Sequence, residues 1–238
     1  MKVELNEKEF EMITVFRRLF MNENEVIVVE YIDKDNYKEY IGKTVKVTGN
    51  VDLSNLGLTK LPINFTEVGG GFYCRDNKLT SLEGAPVKVG KSFACSHNQL
   101  TSVEGAPKEV GGAFYCFDNQ LTSLKGVPTK VGCGFHCSSN KLTSLKGAPK
   151  EVGDDFYCSY NELTSLLGAP KYVGGNFECS YNQLTSLVGG PTKVGENFDC
   201  INNKLTNLVG GPKKVGGNFD CRYNQLDTST FIGGEFRK

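Results

Sequence analysis

Phenylalanine returns every 21 residues along most of this chain, at Phe72, Phe93, Phe114, Phe135, Phe156, Phe177, Phe198 and Phe219. Three companions keep step with it. A cysteine follows two positions later, from Cys74 to Cys221; an asparagine follows at five, from Asn77 to Asn224; a leucine follows at seven, from Leu79 to Leu226. Self-similarity at a fixed period of this size marks a chain built of stacked units, each too small to bury an apolar face by itself. The period predicts a solenoid in which every twenty-first residue returns to the same place on neighbouring coils.

Each recurring residue type has a physical role. Phenylalanine and cysteine stand two apart, so both point to one face of a short strand, and that face is inward. The asparagine lies where the chain leaves the strand, where its amide can bond the backbone of neighbouring coils. Val68, Val89, Val110, Val131, Val152, Val173, Val194 and Val215 add another inward apolar position. The Gly-x-Pro element, from Gly84 and Pro86 to Gly210 and Pro212, turns the chain on the far side. It also accounts for part of the unusual glycine content, 28 residues in 238. So short a coil leaves little room for an α-helix, and extended or 3-10 backbone is expected on the convex side. A degenerate coil comes first, with Val51, Leu53, Leu58, Thr59 and Leu61 in the places of Phe72, Cys74, Leu79, Thr80 and Leu82, and Leu56 in that of the asparagine. Nine strands about 4.8 Å apart make a parallel concave sheet roughly 40 Å long. The pattern fails after Leu226, as expected of a terminal coil.

Residues 1–45 lack the repeat and read as a small α+β capping module. Asn6 followed by Glu9 resembles a capping box, and Met12, Ile13, Phe16, Leu19 and Phe20 form one apolar face of a helix at about 7–21. Val26 to Ile32 reads as a strand, followed by a turn at Asp33, Lys34, Asp35 and Asn36. The solenoid is then 46–230, and 231–238 a tail or cap.

The remaining chemistry narrows the function. Basic and acidic residues balance at 27 each, so a general affinity for nucleic acid or anionic membrane is not expected. The longest apolar run, Val26 to Val29, is too short for a bilayer, and the charged start lacks a secretory leader's apolar core. Nine cysteines, an odd number without C-x-x-C spacing, suit a reducing cytoplasm; the eight of the ladder read as core filler, and Cys133 lies outside it and is expected to be exposed. Of the two histidines, His97 is expected between Asp76 and Asp118, and His136 outward while Cys137 points inward, so the latter two cannot form a nucleophile–base pair. Glu178, Asp199 and Asp220 form an acidic stripe near Asn176, Asn197 and Asn218, compatible with a basic partner, a solvated face, a cation site or, least of all, a hydrolase. Lys88, Lys108, Lys130, Lys150, Lys171, Lys193 and Lys213 supply one lysine per coil on the opposite, solvated surface. No cofactor, metal or catalytic residue is expected, and the chain reads as a non-enzymatic binding module.

Positions that the frame does not dictate are where a partner would dock. Outward strand positions vary from coil to coil, carrying tyrosines early and in the middle and acids late. The candidate partner-binding residues are Tyr73, Tyr115, Phe117, His136, Tyr157, Tyr160, Glu178, Tyr181, Asp199, Asp220 and Tyr223. Tyrosine is enriched in binding hot spots because it offers a large area and a polar tip at low entropic cost. A particle component that binds a surface glycan is the alternative.

Over residues 47–230 the repeats resemble the leucine-rich-repeat superfamily, with F-x-C-x-x-N-x-L in place of its longer consensus. Their shortness resembles the bacterial subtype of secreted effectors, which often carry a ubiquitin-ligase domain; no such domain appears before Lys238. The unit N-x-L-T-S-L-x-G-x-P-x-x-V-G-G-x-F-x-C, represented by Asn77 to Cys95 and Asn182 to Cys200, is similar to repeat proteins of tailed bacteriophages and prophages. That resemblance implies a right-handed solenoid and a phage or bacterial origin. It also suggests a protein that blocks a host defence or regulatory protein in the host cytoplasm.

Overall fold

The computed structural model describes residues 26–227. The helix expected at 7–21 and the tail at 231–238 lie outside the described residues. From Val51 onward the chain winds as a parallel β-solenoid of 21-residue coils, and almost every coil contributes two short strands rather than one. The first set forms a nine-stranded sheet that starts at Val51–Asp52, continues through Phe72–Tyr73 and Phe93–Ala94, and ends at Phe219–Asp220. We call it the phenylalanine sheet. The second set, the valine sheet, has ten strands running from Ile27–Val29, Thr44–Val47 and Asn64–Val68 through Lys88–Val89 to Lys214–Val215. Pairing keeps the repeat register: Phe135 lies between Phe114 and Phe156, and Val194 between Val173 and Val215.

The nine strands of the phenylalanine sheet are those the period predicts. The second sheet corrects the expectation of a single one. The far side of each coil is extended, as anticipated, but its amides and carbonyls already point along the stack at the next coil's equivalent residues. Parallel pairing follows because buried backbone groups demand partners. The 3-10 helix among the described residues, Tyr37–Tyr40, precedes the repeats.

Between the sheets lies one continuous core. The stacked phenylalanine rings have centroids 4.9–5.6 Å apart, and those from Phe72 to Phe198 are wholly buried. Cys74 to Cys200 are buried beside them without disulfides, and burial raises their thiol pKa well above the ordinary value. Cys133 is exposed.

The asparagine ladder ties the coils together. Asn140 Nδ2 donates to the carbonyls of Cys116 on the preceding coil (3.1 Å), Cys137 (3.1 Å) and Ser138 (3.2 Å), while its Oδ1 accepts the Leu121 amide (2.9 Å). The same bonds recur at Asn98, Asn161, Asn182 and Asn203. A column of glycines follows the valines. A Cβ on Gly132 would collide with the Gly111 carbonyl oxygen, and one on Gly195 with that of Gly174, so no larger residue fits between the coils.

Ahead of the repeats, Ile27–Val29 and Thr44–Val47 extend the valine sheet, and Ile32 bridges to Val51. Ile32, Val45 and Val47 are buried in the same core as the first coil. The strand expected from Val26 to Ile32 is confined to Ile27–Val29. The Asp33 carboxylate accepts the Asp35 and Asn36 amides, which closes the turn after it.

Candidate recognition face

Four positions per coil build the outward face of the phenylalanine sheet. The residue after each phenylalanine points out, opposite the core, and its column reads Tyr73, Ala94, Tyr115, His136, Tyr157, Glu178, Asp199, Asp220. The sheet register places consecutive members directly opposite one another. The rings of Tyr115 and His136 lie 4.8 Å apart, and those of His136 and Tyr157 4.5 Å. All are half-buried except Ala94, which is buried. Burial raises the Tyr115 and Tyr157 hydroxyl pKa values; the Asp155 carboxylate, which accepts the Tyr157 hydroxyl, adds to the effect. Burial also lowers the His136 pKa, against the opposing pull of Asp155 and Asp154.

The residue before each phenylalanine shares this face, two positions from the aromatic column. Gly71, Ala113 and Gly134 precede Phe72, Phe114 and Phe135, where the outward residue is aromatic, while Asn176, Asn197 and Asn218 accompany the acids. A Cβ at Gly134 would fall 2.8 Å from His136 Nε2, so the ring needs that space. In the later coils the position becomes a hydrogen-bond ladder. Asp155 Oδ1 accepts the Asn176 amide (2.7 Å), Asn176 Oδ1 accepts the Asn197 amide (3.1 Å), and Asn197 Oδ1 accepts the Asn218 amide (2.8 Å).

Four residues after each phenylalanine the backbone turns left-handed. Asp76, His97, Asp118, Ser139, Tyr160, Tyr181, Asn202 and Tyr223 all have φ between 49° and 57°. Asparagine and aspartate tolerate this conformation; bulky side chains are disfavoured there. Yet Tyr160 and Tyr181 occupy it, 55% and 44% exposed, with rings stacked 4.4 Å apart and 7° from parallel, and Tyr223 is 76% exposed. Asp76, His97, Asp118 and Asn202 are residue types enriched in this conformation, a signal that the tyrosines of the same column masked, and sequence reasoning missed it.

The third position after phenylalanine is only partly outward. Phe117 is half-buried and meets His97 edge-on at 5.0 Å, but Ser96, Ser159 and Ser180 are buried. Ser159 Oγ accepts the Ser180 amide and Ser180 Oγ the Ile201 amide, so these hydroxyls serve the frame. His97 pairs with Asp118 at 3.4 Å, while the contact at Asp76 is with Arg75 at 3.9 Å.

In the late coils acids gather. Burial, followed by the charge of Asp199, raises the Glu178 carboxyl pKa; burial, followed by Asp220, raises that of Asp199. Asp220 pairs with Arg222, Nη2 to Oδ2 at 2.7 Å. Among the described residues no three of His, Cys, Asp and Glu come together to hold a metal ion, and no helix is long and apolar enough to cross a membrane.

The lysine row proves to be two columns. Lys88, Lys130 and Lys193 immediately precede their valines, whereas Lys108, Lys150, Lys171 and Lys213 stand one residue earlier. The column beside the valines alternates in sign instead, with pairs Lys46–Glu67 (2.6 Å), Lys88–Glu109 (2.9 Å) and Lys130–Glu151 (2.8 Å), then Tyr172 beneath the Lys193 ammonium. Sequence reasoning also missed an exposed apolar column at the x of T-S-L-x-G. It is charged at Glu83, Glu104, Lys125 and Lys146 and apolar at Leu167, Val188 and Val209.

Coil, core and asparagine ladder together make this a leucine-rich-repeat-type solenoid. Its structure is similar to that of YopM from Yersinia enterocolitica WA-314, at 17% identity and a TM-score of 0.39, over 74% of this chain. The chain spans 56% of that protein's length. No family model and no curated protein matches the sequence.

Proposed function

We propose that the chain is a non-enzymatic protein-binding module and that its partner seats on the outward face of the phenylalanine sheet, from Tyr73 to Tyr223. One observation carries this reading: the stacked pair Tyr160 and Tyr181 is held exposed on left-handed backbone. The conformation costs about 1–2 kcal/mol per residue, and an asparagine, as at Asn202, would avoid it. Strain at exposed aromatics is retained where binding needs those side chains. The partner, in keeping with the bacteriophage-like repeats, is a host defence or regulatory protein that the module blocks in the host cytoplasm. Residues 26–45 act as a cap of the first coil, with Ile32 and Val45 in its core.

The test is affinity capture by the immobilised chain beside its Tyr115→Ala/Tyr157→Ala/Tyr160→Ala variant. A protein held stoichiometrically by the wild type and lost from the variant, with melting nearly unchanged, supports the reading. Equal retention by both contradicts it.

A further inference from the structure

We propose that the occupant of this face is a cationic segment, rich in arginine or lysine, of the protein partner, seated over the coils from Tyr157 to Tyr223; the inference rests on the reading above. Its first support is a control within the fold. On the valine sheet, outward residues directly opposite one another alternate in sign from Lys46 to Glu151 and form close ion pairs. On the phenylalanine sheet Glu178, Asp199 and Asp220 are equally direct cross-strand partners, yet all three carry the same sign. Like charges opposite one another destabilise a sheet. The valine sheet thus neutralises its cross-strand charges from Lys46 to Glu151 and leaves Lys193 opposite Lys214 as a like-charged pair, whereas the phenylalanine sheet accumulates acid from Glu178 to Asp220.

The second support is how the charges are placed. Asp155 joins the column from the residue before its phenylalanine, and Glu196 reaches the same ladder through Asn176 Nδ2 at 3.0 Å. Against these five carboxylates Arg222, bound to Asp220, is the cation that the coils from Tyr157 to Tyr223 supply on this face. The chain as a whole is neutral, so the local excess is a matter of placement, not of composition.

The third support is aromatic. The exposed parallel rings of Tyr160 and Tyr181 stand on the coils of Tyr157 and Glu178. A guanidinium or ammonium lying on such a ring face gains from the ring's quadrupole while neighbouring carboxylates neutralise it. Acid beside stacked tyrosine is complementary to Arg and Lys side chains and repels an acidic segment.

The test is selection of a displayed random-peptide library on the full-length chain, on a Glu178→Gln/Asp199→Asn variant and on a Tyr160→Ala/Tyr181→Ala variant, each first shown to melt cooperatively. The inference expects peptides enriched in arginine and lysine. A synthesised winner should bind the acid-neutralised variant at least about tenfold more weakly, lose affinity as salt rises, and bind a Lys88→Gln variant as it binds the wild type. Winners without a basic excess, lost on the tyrosine variant but kept on the acid-neutralised one, overturn the cationic partner and leave the face reading standing. No enrichment over the tyrosine variant overturns both. Self-association of the wild type that the acid-neutralised variant loses assigns the face to a second copy and overturns the proposal.

Discussion

Tyr160 and Tyr181 lie ring on ring, 4.4 Å apart and 7° from parallel, although each occupies a left-handed backbone position that disfavours a bulky side chain. Stacking returns about 0.5–1.5 kcal/mol, which offsets part of a conformational cost of about 1–2 kcal/mol per residue. Tyr223 sits at the same kind of position, 76% exposed, on the last repeat coil. Tyr223→Asn should therefore raise stability by up to about 1 kcal/mol, read as a higher urea midpoint. Tyr160→Asn, which forfeits the stack, should gain less.

The asparagine ladder predicts the opposite sign. Asn140→Ala leaves the buried Leu121 amide without its acceptor and takes one donor each from the Cys116 and Cys137 carbonyls, which keep Asn119 and Asn161 Nδ2 respectively. A buried unpaired polar group costs about 1–3 kcal/mol. The loss should be about 1–3 kcal/mol, measured by chemical denaturation, and larger than that of Asn224→Ala at the less buried last coil.

Thiol chemistry separates Cys133 from the ladder. Eight cysteines are buried and Cys133 is exposed. A thiol reagent added to the native chain should modify Cys133 quickly, with the rest reacting only on unfolding. Cys133→Ser should remove the fast phase without shifting the melt.

The acidic column sets a pH dependence. Burial and mutual repulsion raise the Glu178 and Asp199 carboxyl pKa values above their ordinary 4.5 and 3.8. The folded chain then holds more protons than the unfolded one just above those values. Their contribution to stability is fully present below them and is lost as pH rises through the folded values. Glu178→Gln/Asp199→Asn should consequently be more stable than the wild type at neutral pH, by up to about 1 kcal/mol. The advantage should shrink as pH falls through the raised folded values, where the wild-type carboxyls become neutral.

Much of this architecture is written in the chain and some of it is not. Phe and Cys two apart dictate an inward strand face, and a 21-residue return dictates that these strands stack, so the nine rungs and the asparagine ladder follow from spacing alone. The second sheet escapes notice because each of its repeat strands, such as Lys88–Val89, carries one recurring inward residue with no second one two positions on, as cysteine follows phenylalanine. The single lysine row was a related error, since Lys108 and Lys130 are equivalent in composition but one residue apart in register. The glycines after the valines look like turn residues, whereas Gly132 is required by the approach of the Gly111 carbonyl, a contact between coils that no single repeat reveals. The tyrosines of the face were legible as outward residues; their left-handed backbone was not, because it arises from the path the chain takes out of the strand.

The most direct test of the recognition face compares its two sides. Once a partner has been captured, its affinity should be measured by calorimetry for the Tyr115→Ala/Tyr157→Ala/Tyr160→Ala variant and for a Lys88→Ala/Lys130→Ala/Lys193→Ala variant of the valine sheet. Hot-spot tyrosines each contribute about 2 kcal/mol or more, so binding should vanish from the first variant and persist in the second. Loss of binding from the lysine variant, with the tyrosine variant unimpaired, would place the partner on the other sheet and contradict the account.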